Sequence, residues 1–212
     1  MKITFDYNRE KDVWCLLNKG KSSINSSSST EVYKKLIDSS GENPSTEITS
    51  KFIDEYLTEN KYEIQDFINE YENNFNTISK DYEKIAQTVF NISLDHNITA
   101  YLTINSRCPY NIEENWFFVS IAKKSSNLTI MHELWHFYTW YKFGTKWEEK
   151  LGKEKYNDIK ESLTVLLNVE CKDLISEGKE DVGYPQHKEM REKILKIWGE
   201  EKDIEKLWNK II

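Results

Sequence analysis

A chain of 212 residues with 38% apolar and 13% aromatic side chains, seven Trp among them, is long enough to bury a core of its own. Lys and Arg number 29 against 36 Asp and Glu, a net charge of −7, which argues against a general binder of nucleic acid or anionic membranes, since both need a basic surface. Cys15, Cys108 and Cys171 are odd in number and form no CxxC pair, so neither a disulfide framework nor a Cys-rich zinc site follows, and no run approaches the ~18 apolar residues of a membrane span.

Charge appears at Lys2 and Asp6 before any signal-like apolar run, and the expected location is cytoplasmic. Ile3 to Tyr7 and Val13 to Leu17 read as two short strands around the polar turn Asn8-Arg9-Glu10-Lys11, although Val13 to Leu17 equally opens a helix. Residues 21–29 are Ser-rich and read as a tether with nothing to pack. Thr30 is placed to cap a short helix carrying Val32, Tyr33, Leu36 and Ile37, and the polar stretch 41–45 breaks the chain. From Thr46 to Asn91 apolar residues recur at helical spacing: Phe52, Ile53 and Tyr56; Ile64, Phe67 and Ile68; Tyr82, Ile85 and Val89. Between Glu42 and Glu72 lie nine acids and two lysines, the pattern of a solvated helix face, with a docking surface for a basic partner as the functional alternative.

The character changes near Ile92. Ile98 to Asn105 alternates with period two and is β-branched, hence a strand; Trp116 to Ile121 is a second. Ser125 or Ser126 is placed to cap a helix from Asn127 through Phe143, with Gly144 as its stop, and another helix covers about Glu154 to Ser176. Two shorter helices follow a loop containing Gly178, Gly183 and Pro185. The expectation is a mostly helical α+β protein: a helical N-terminal region over 1–91 with short strands and the tether, and a domain over 92–212 in which a small sheet precedes the long helix.

That long helix contains Met131-His132-Glu133-Leu134-Trp135-His136, an HExxH pattern. Residues four apart on a helix stack one turn above each other, so His132 and His136 present ring nitrogens to one metal ion. Glu133 lies about 100° around the helix from His132, near enough to reach a water without ligating the ion. Imidazole suits zinc, whose catalytic sites take three protein ligands and keep one position open. Leu128, Ile130, Leu134, Trp135, Phe137, Tyr138 and Tyr141 surround the motif, so the helix is expected to be buried nearly all round and unpaired His and Glu there are costly.

A third ligand is needed. Thr139 and Lys142 stand where an extended HExxHxxGxxH motif requires Gly and His, which excludes that arrangement. Glu161 is the best candidate: eight uncharged residues follow it, so it stands at the entrance of an interior helix, and a carboxylate there needs a cation. Asp158 and Glu170 are the weaker alternatives. Asn157, Thr164 and Asn168 share the face of Glu161 and offer supporting hydrogen bonds. Downstream lies Asp181-Val182-Gly183-Tyr184-Pro185-Gln186-His187, in which Pro185 presets a turn or first helical position and Tyr184 and His187, three apart, are able to point into one cleft.

An HExxH helix with a Glu on the next long helix, 25 residues beyond the second His, resembles the gluzincin metallopeptidases, most closely their minimal catalytic domains. The resemblance covers about residues 95–200. It implies a zincin-like fold, His132, His136 and Glu161 as zinc ligands, Glu133 as general base and proton shuttle, and a Tyr or His for the oxyanion, here His187 with Tyr184 second; His187 as third ligand is the alternative. One departure stands out: Val165 occupies the position four residues after the ligand Glu where thermolysin-like members carry Asp, so Thr164 or Asn168 has to support a ligand His instead. The implied activity is zinc-dependent hydrolysis of a peptide or protein substrate, with Trp116 to Ile121 as the edge strand that pairs with extended substrate. Two alternatives accompany it: an inactive zincin-fold interaction module, and a regulatory protease with a single substrate.

Overall fold

Residues 1–19, 29–122 and 127–212 are described by the computed structural model. The tether, apart from Ser29, and the capping serines Ser125 and Ser126 lie outside them. The fold is mostly helical with one small mixed sheet: β1 (Lys2–Asp6), α1 (Arg9–Lys19), α2 (Glu31–Ser40), α3 (Thr46–Glu59), α4 (Ile64–Asn76), α5 (Ser79–Phe90), β2 (Asn97–Thr103), β3 (Tyr110–Asn111), β4 (Trp116–Ser120), α6 (Asn127–Leu151), α7 (Lys153–Leu163), α8 (Leu167–Glu170), α9 (Lys188–Glu200) and α10 (Ile204–Ile211). None of the described helices is long and apolar enough to cross a membrane. Contacts divide the chain into two units of non-contiguous stretches, one of Lys2–Asn74 and His96–Ser126, the other of Met1, Phe75–Asp95 and Asn127–Ile212.

The first unit carries the sheet. Its order is β1-β2-β4-β3, with β1 and β4 parallel to β2 and β3 antiparallel to β4. Val13 to Leu17, expected as a strand or a helix opening, is helical. Asn8 decides this locally, because its Oδ1 accepts the Lys11 amide at 2.9 Å and caps α1, with Glu10 and Asp12 in the first turn. The buried residues Asp12, Val13, Cys15 and Leu16 then form one helix face. Thr30 caps α2 as expected, accepting from the Tyr33 amide, and Ser45 caps α3. Of the nine acids between Glu42 and Glu72, all but Glu72 are exposed.

β4 corrects an expectation. It is not an edge strand: β3 pairs with Trp116 and Phe117, the Phe118 amide donates to the Pro109 carbonyl at 3.0 Å, and all five residues are buried. The turn through Pro109 returns two residues antiparallel to β4 and occupies that side of it.

The second unit is built on α6. Gly144 does not stop this helix, which runs on to Leu151, and Gly152 at φ +81° breaks it instead. The reason Gly stands at 144 is contact: a Cβ there would meet the Trp140 ring at 2.5 Å. Trp135, Phe137 and Tyr138 are fully buried, with Phe90 of α5 centred 4.9 Å from Trp135. Tyr82 of α5 donates its hydroxyl hydrogen to the Met131 carbonyl at 3.1 Å, within the HExxH turn. Phe143 stacks on Trp208 of α10 at 4.0 Å. The helix expected over 154–176 is α7 and α8 joined by a tighter turn at Thr164–Leu166, followed by another at Lys172–Leu174, and Ser162 to Leu167 are all buried.

Candidate metal centre

The HExxH spacing does locally what helix geometry requires. His132 and His136 bring their Nε2 atoms to 3.1 Å from each other on one side of α6. Glu161, near the C-terminal end of α7, completes a triangle, with Oε2 3.7 Å from His132 Nε2 and Oε1 3.4 Å from His136 Nε2. Among the described residues these three form the one group of His, Cys, Asp or Glu disposed to hold a metal ion. The distances suit zinc: ligand bonds of about 2.0–2.1 Å in a tetrahedron give edges near 3.3 Å. Two nitrogens and a carboxylate oxygen are also a donor set that zinc favours. Asp158 and Glu170 are engaged elsewhere, Asp158 with His187 and Glu170 with Trp198 and Lys202.

Glu133 is buried beside this triangle, and its Oε2 has no hydrogen-bond partner among the described residues. Burial pushes its carboxyl up to about 7, against the pull of the neighbouring His132 and His136. Glu161 goes the other way: burial alone raises a carboxyl, but His136, His132 and Lys160 hold it well below the usual carboxylate range. Lys160 is itself buried, its amine 3.2 Å from Glu161 Oε1 and lowered by that burial.

The support for His132 comes from a residue that sequence reasoning passed over. Asp181, in the loop before α9, places Oδ2 2.6 Å from His132 Nδ1. Thr164 and Asn168, expected to support a ligand His themselves, act on Asp181 instead. The Thr164 hydroxyl is 2.9 Å from Asp181 Oδ1, and Asn168 bonds the Asp181 main chain twice, donating to its carbonyl at 2.8 Å and accepting its amide at 2.7 Å. Arg191 of α9 pairs with Asp181 Oδ1 at 2.9 Å. Nothing in the run Glu180-Asp181-Val182 sets Asp181 apart from the other acids of that loop; only Val165, by breaking the expected support, signals that some other residue must serve.

His187 and Tyr184 are not part of the triangle. His187 sits at the start of α9, 5% exposed, with Nε2 3.0 Å from Asp158 Oδ1, one turn before Glu161 on α7. Tyr184 is half exposed and meets the His187 ring edge-on, centroids 5.6 Å apart. No protein-family model, curated protein or solved structure matches this chain.

Proposed function

We propose that the protein is a zinc-dependent peptidase of the gluzincin kind, with a zincin-like catalytic unit around α6 and α7, acting in the cytoplasm on a peptide or protein substrate. The single observation that carries this is the convergence of His132, His136 and Glu161 at zinc-ligand spacing beside a buried, unpartnered Glu133 oxygen. His132 Nε2, His136 Nε2 and one Glu161 oxygen would hold the ion. What zinc supplies at such a position is acidification of water and polarisation of a carbonyl.

The protein's own groups do the rest. Glu133 Oε2, buried and without a hydrogen-bond partner among the described residues, takes a proton from the attacking water and returns it to the departing amine. Asp181 holds the His132 ring by Nδ1, which directs the other nitrogen into the site. Lys160 engages Glu161 Oε1, leaving Oε2 as the less encumbered oxygen. For the oxyanion, Tyr184 has the exposure to reach a substrate, and His187, buried and held by Asp158, packs behind it.

The test is a peptide library incubated with the zinc-loaded full chain and read by mass spectrometry, alongside Glu133→Gln. Cleavage by the wild type, with Glu133→Gln keeping its zinc and losing about 10²-fold or more in turnover, supports the reading. Turnover unchanged in Glu133→Gln, or no zinc bound by the wild type, overturns it.

A further inference from the structure

We infer that Arg191 is a positioning residue for the metal-binding nitrogen of His132, acting through Asp181; this rests on reading the triangle as a metal centre. Arg191 is 6% exposed and divides its guanidinium between Asp181 and Thr164, which itself bonds Asp181. Nη2 reaches Asp181 Oδ1 at 2.9 Å and also the Asp181 carbonyl, while Nη1 donates to the Thr164 hydroxyl at 2.9 Å. With Asn168 holding the Asp181 main chain from the other side, the residue is fixed in backbone and side chain alike. Its remaining oxygen, Oδ2, faces His132 Nδ1. A ring engaged at Nδ1 directs Nε2 toward a metal in a set orientation.

The loop is shaped for this grip. Gly183 has φ +62°, and a Cβ there would lie 2.7 Å from the Arg191 guanidinium, so the chain crosses directly over the planar group. A fork with parallel donors meets a carboxylate, a carbonyl and a hydroxyl together; a Lys amine is a point charge and matches them less well. Four stretches, from α6, from the tighter turn and α8 after α7, from the loop and from α9, therefore meet at one residue, Asp181, three of them supplying contacts to its carboxylate or main chain. A plain structural ion pair has no need to end on a ligand imidazole.

The experiment measures zinc affinity of the full chain by competition with a chromophoric chelator, for the wild type, Arg191→Met, Asp181→Asn and the double variant, and records visible spectra with cobalt(II) in place of zinc. Each single variant is expected to weaken zinc ~10–100-fold. The double variant should bind no more weakly than Asp181→Asn, because Arg191 acts through that carboxylate. Cobalt bands should shift in both single variants, and Arg191→Lys should fall between wild type and Arg191→Met. A folded Arg191→Met with wild-type affinity and spectrum overturns the inference, as do losses that multiply in the double variant. If Arg191→Met does not fold, Gly183→Ala presses on the guanidinium from outside: a several-fold loss supports the inference and wild-type affinity overturns it. A wild-type chain that binds no zinc sinks the metal centre itself, an outcome distinct from wild-type binding that ignores Arg191.

Discussion

The buried amine of Lys160 lies 3.2 Å from Oε1 of Glu161, the same oxygen that His136 Nε2 approaches at 3.4 Å. This lysine joins His136 and His132 in offsetting the charge of the Glu161 carboxylate. Lys160→Met should therefore destabilise the metal-free protein by about 2 kcal/mol, the worth of one hydrogen bond to a charged group, since both imidazoles remain beside Glu161. Added zinc should restore most of it. Chemical denaturation with chelator and with excess zinc checks both halves.

Zinc should stabilise the wild type in proportion to its excess, by ~2.7 kcal/mol at a hundred times its dissociation constant. His136→Ala removes a nitrogen from the triangle and should abolish that increment. A thermal melt with and without zinc, run on both proteins, reads the difference directly.

Asp12 makes stability depend on pH independently of the group formed by His132, His136 and Glu161. It is fully buried; that burial raises its carboxyl to about 6, against hydrogen bonds from Thr103, Tyr7 and the Ile104 amide. The folded state therefore holds a proton that the unfolded chain releases near pH 4. Stability from this group is present at low pH and is lost as pH rises through about 6, a swing of about 3 kcal/mol. Asp12→Asn should flatten that dependence and leave the protein more stable at pH 7, as urea midpoints at pH 4.5 and 7 would reveal.

Tyr184→Phe separates the oxyanion role proposed for Tyr184 from its packing. The ring and its edge contact with His187 survive the change while the hydroxyl goes. Steady-state kinetics should show kcat lower by ~10–100-fold with zinc affinity unchanged. Equal kcat would move that role elsewhere.

Leu134 is fully buried on the face of α6 away from His132 and His136. Leu134→Ala should cost about 3 kcal/mol by opening a cavity, and should weaken zinc far less than loss of a ligand does. Denaturant midpoints and chelator competition together distinguish the two effects.

Much of this was readable from residue order because much of it is local. A helical repeat places His132 over His136 and Glu133 beside them whatever surrounds the helix, and caps at Thr30 and Ser45 need only their own next turn. The uncharged run after Glu161 marked Ser162 to Leu167, the end of α7 and the turn beyond it, as interior, and hence marked the carboxylate that precedes them. Local pattern also misled. Val13 to Leu17 carries strand-like residues, yet Asn8 and the acids after it start a helix, and Gly144 looked like a stop until Trp140 lay across it.

Residue order alone thus dictated where two imidazoles and a carboxylate would stand on one helix, since bond geometry repeats every turn and reaches no further. It could not name Asp181, 49 residues from His132, nor Arg191 behind it. A hydrogen bond forms only where packing brings donor and acceptor within about 3 Å. That proximity belongs to how α6, α7 and α9 pack around the loop, and no single segment encodes it.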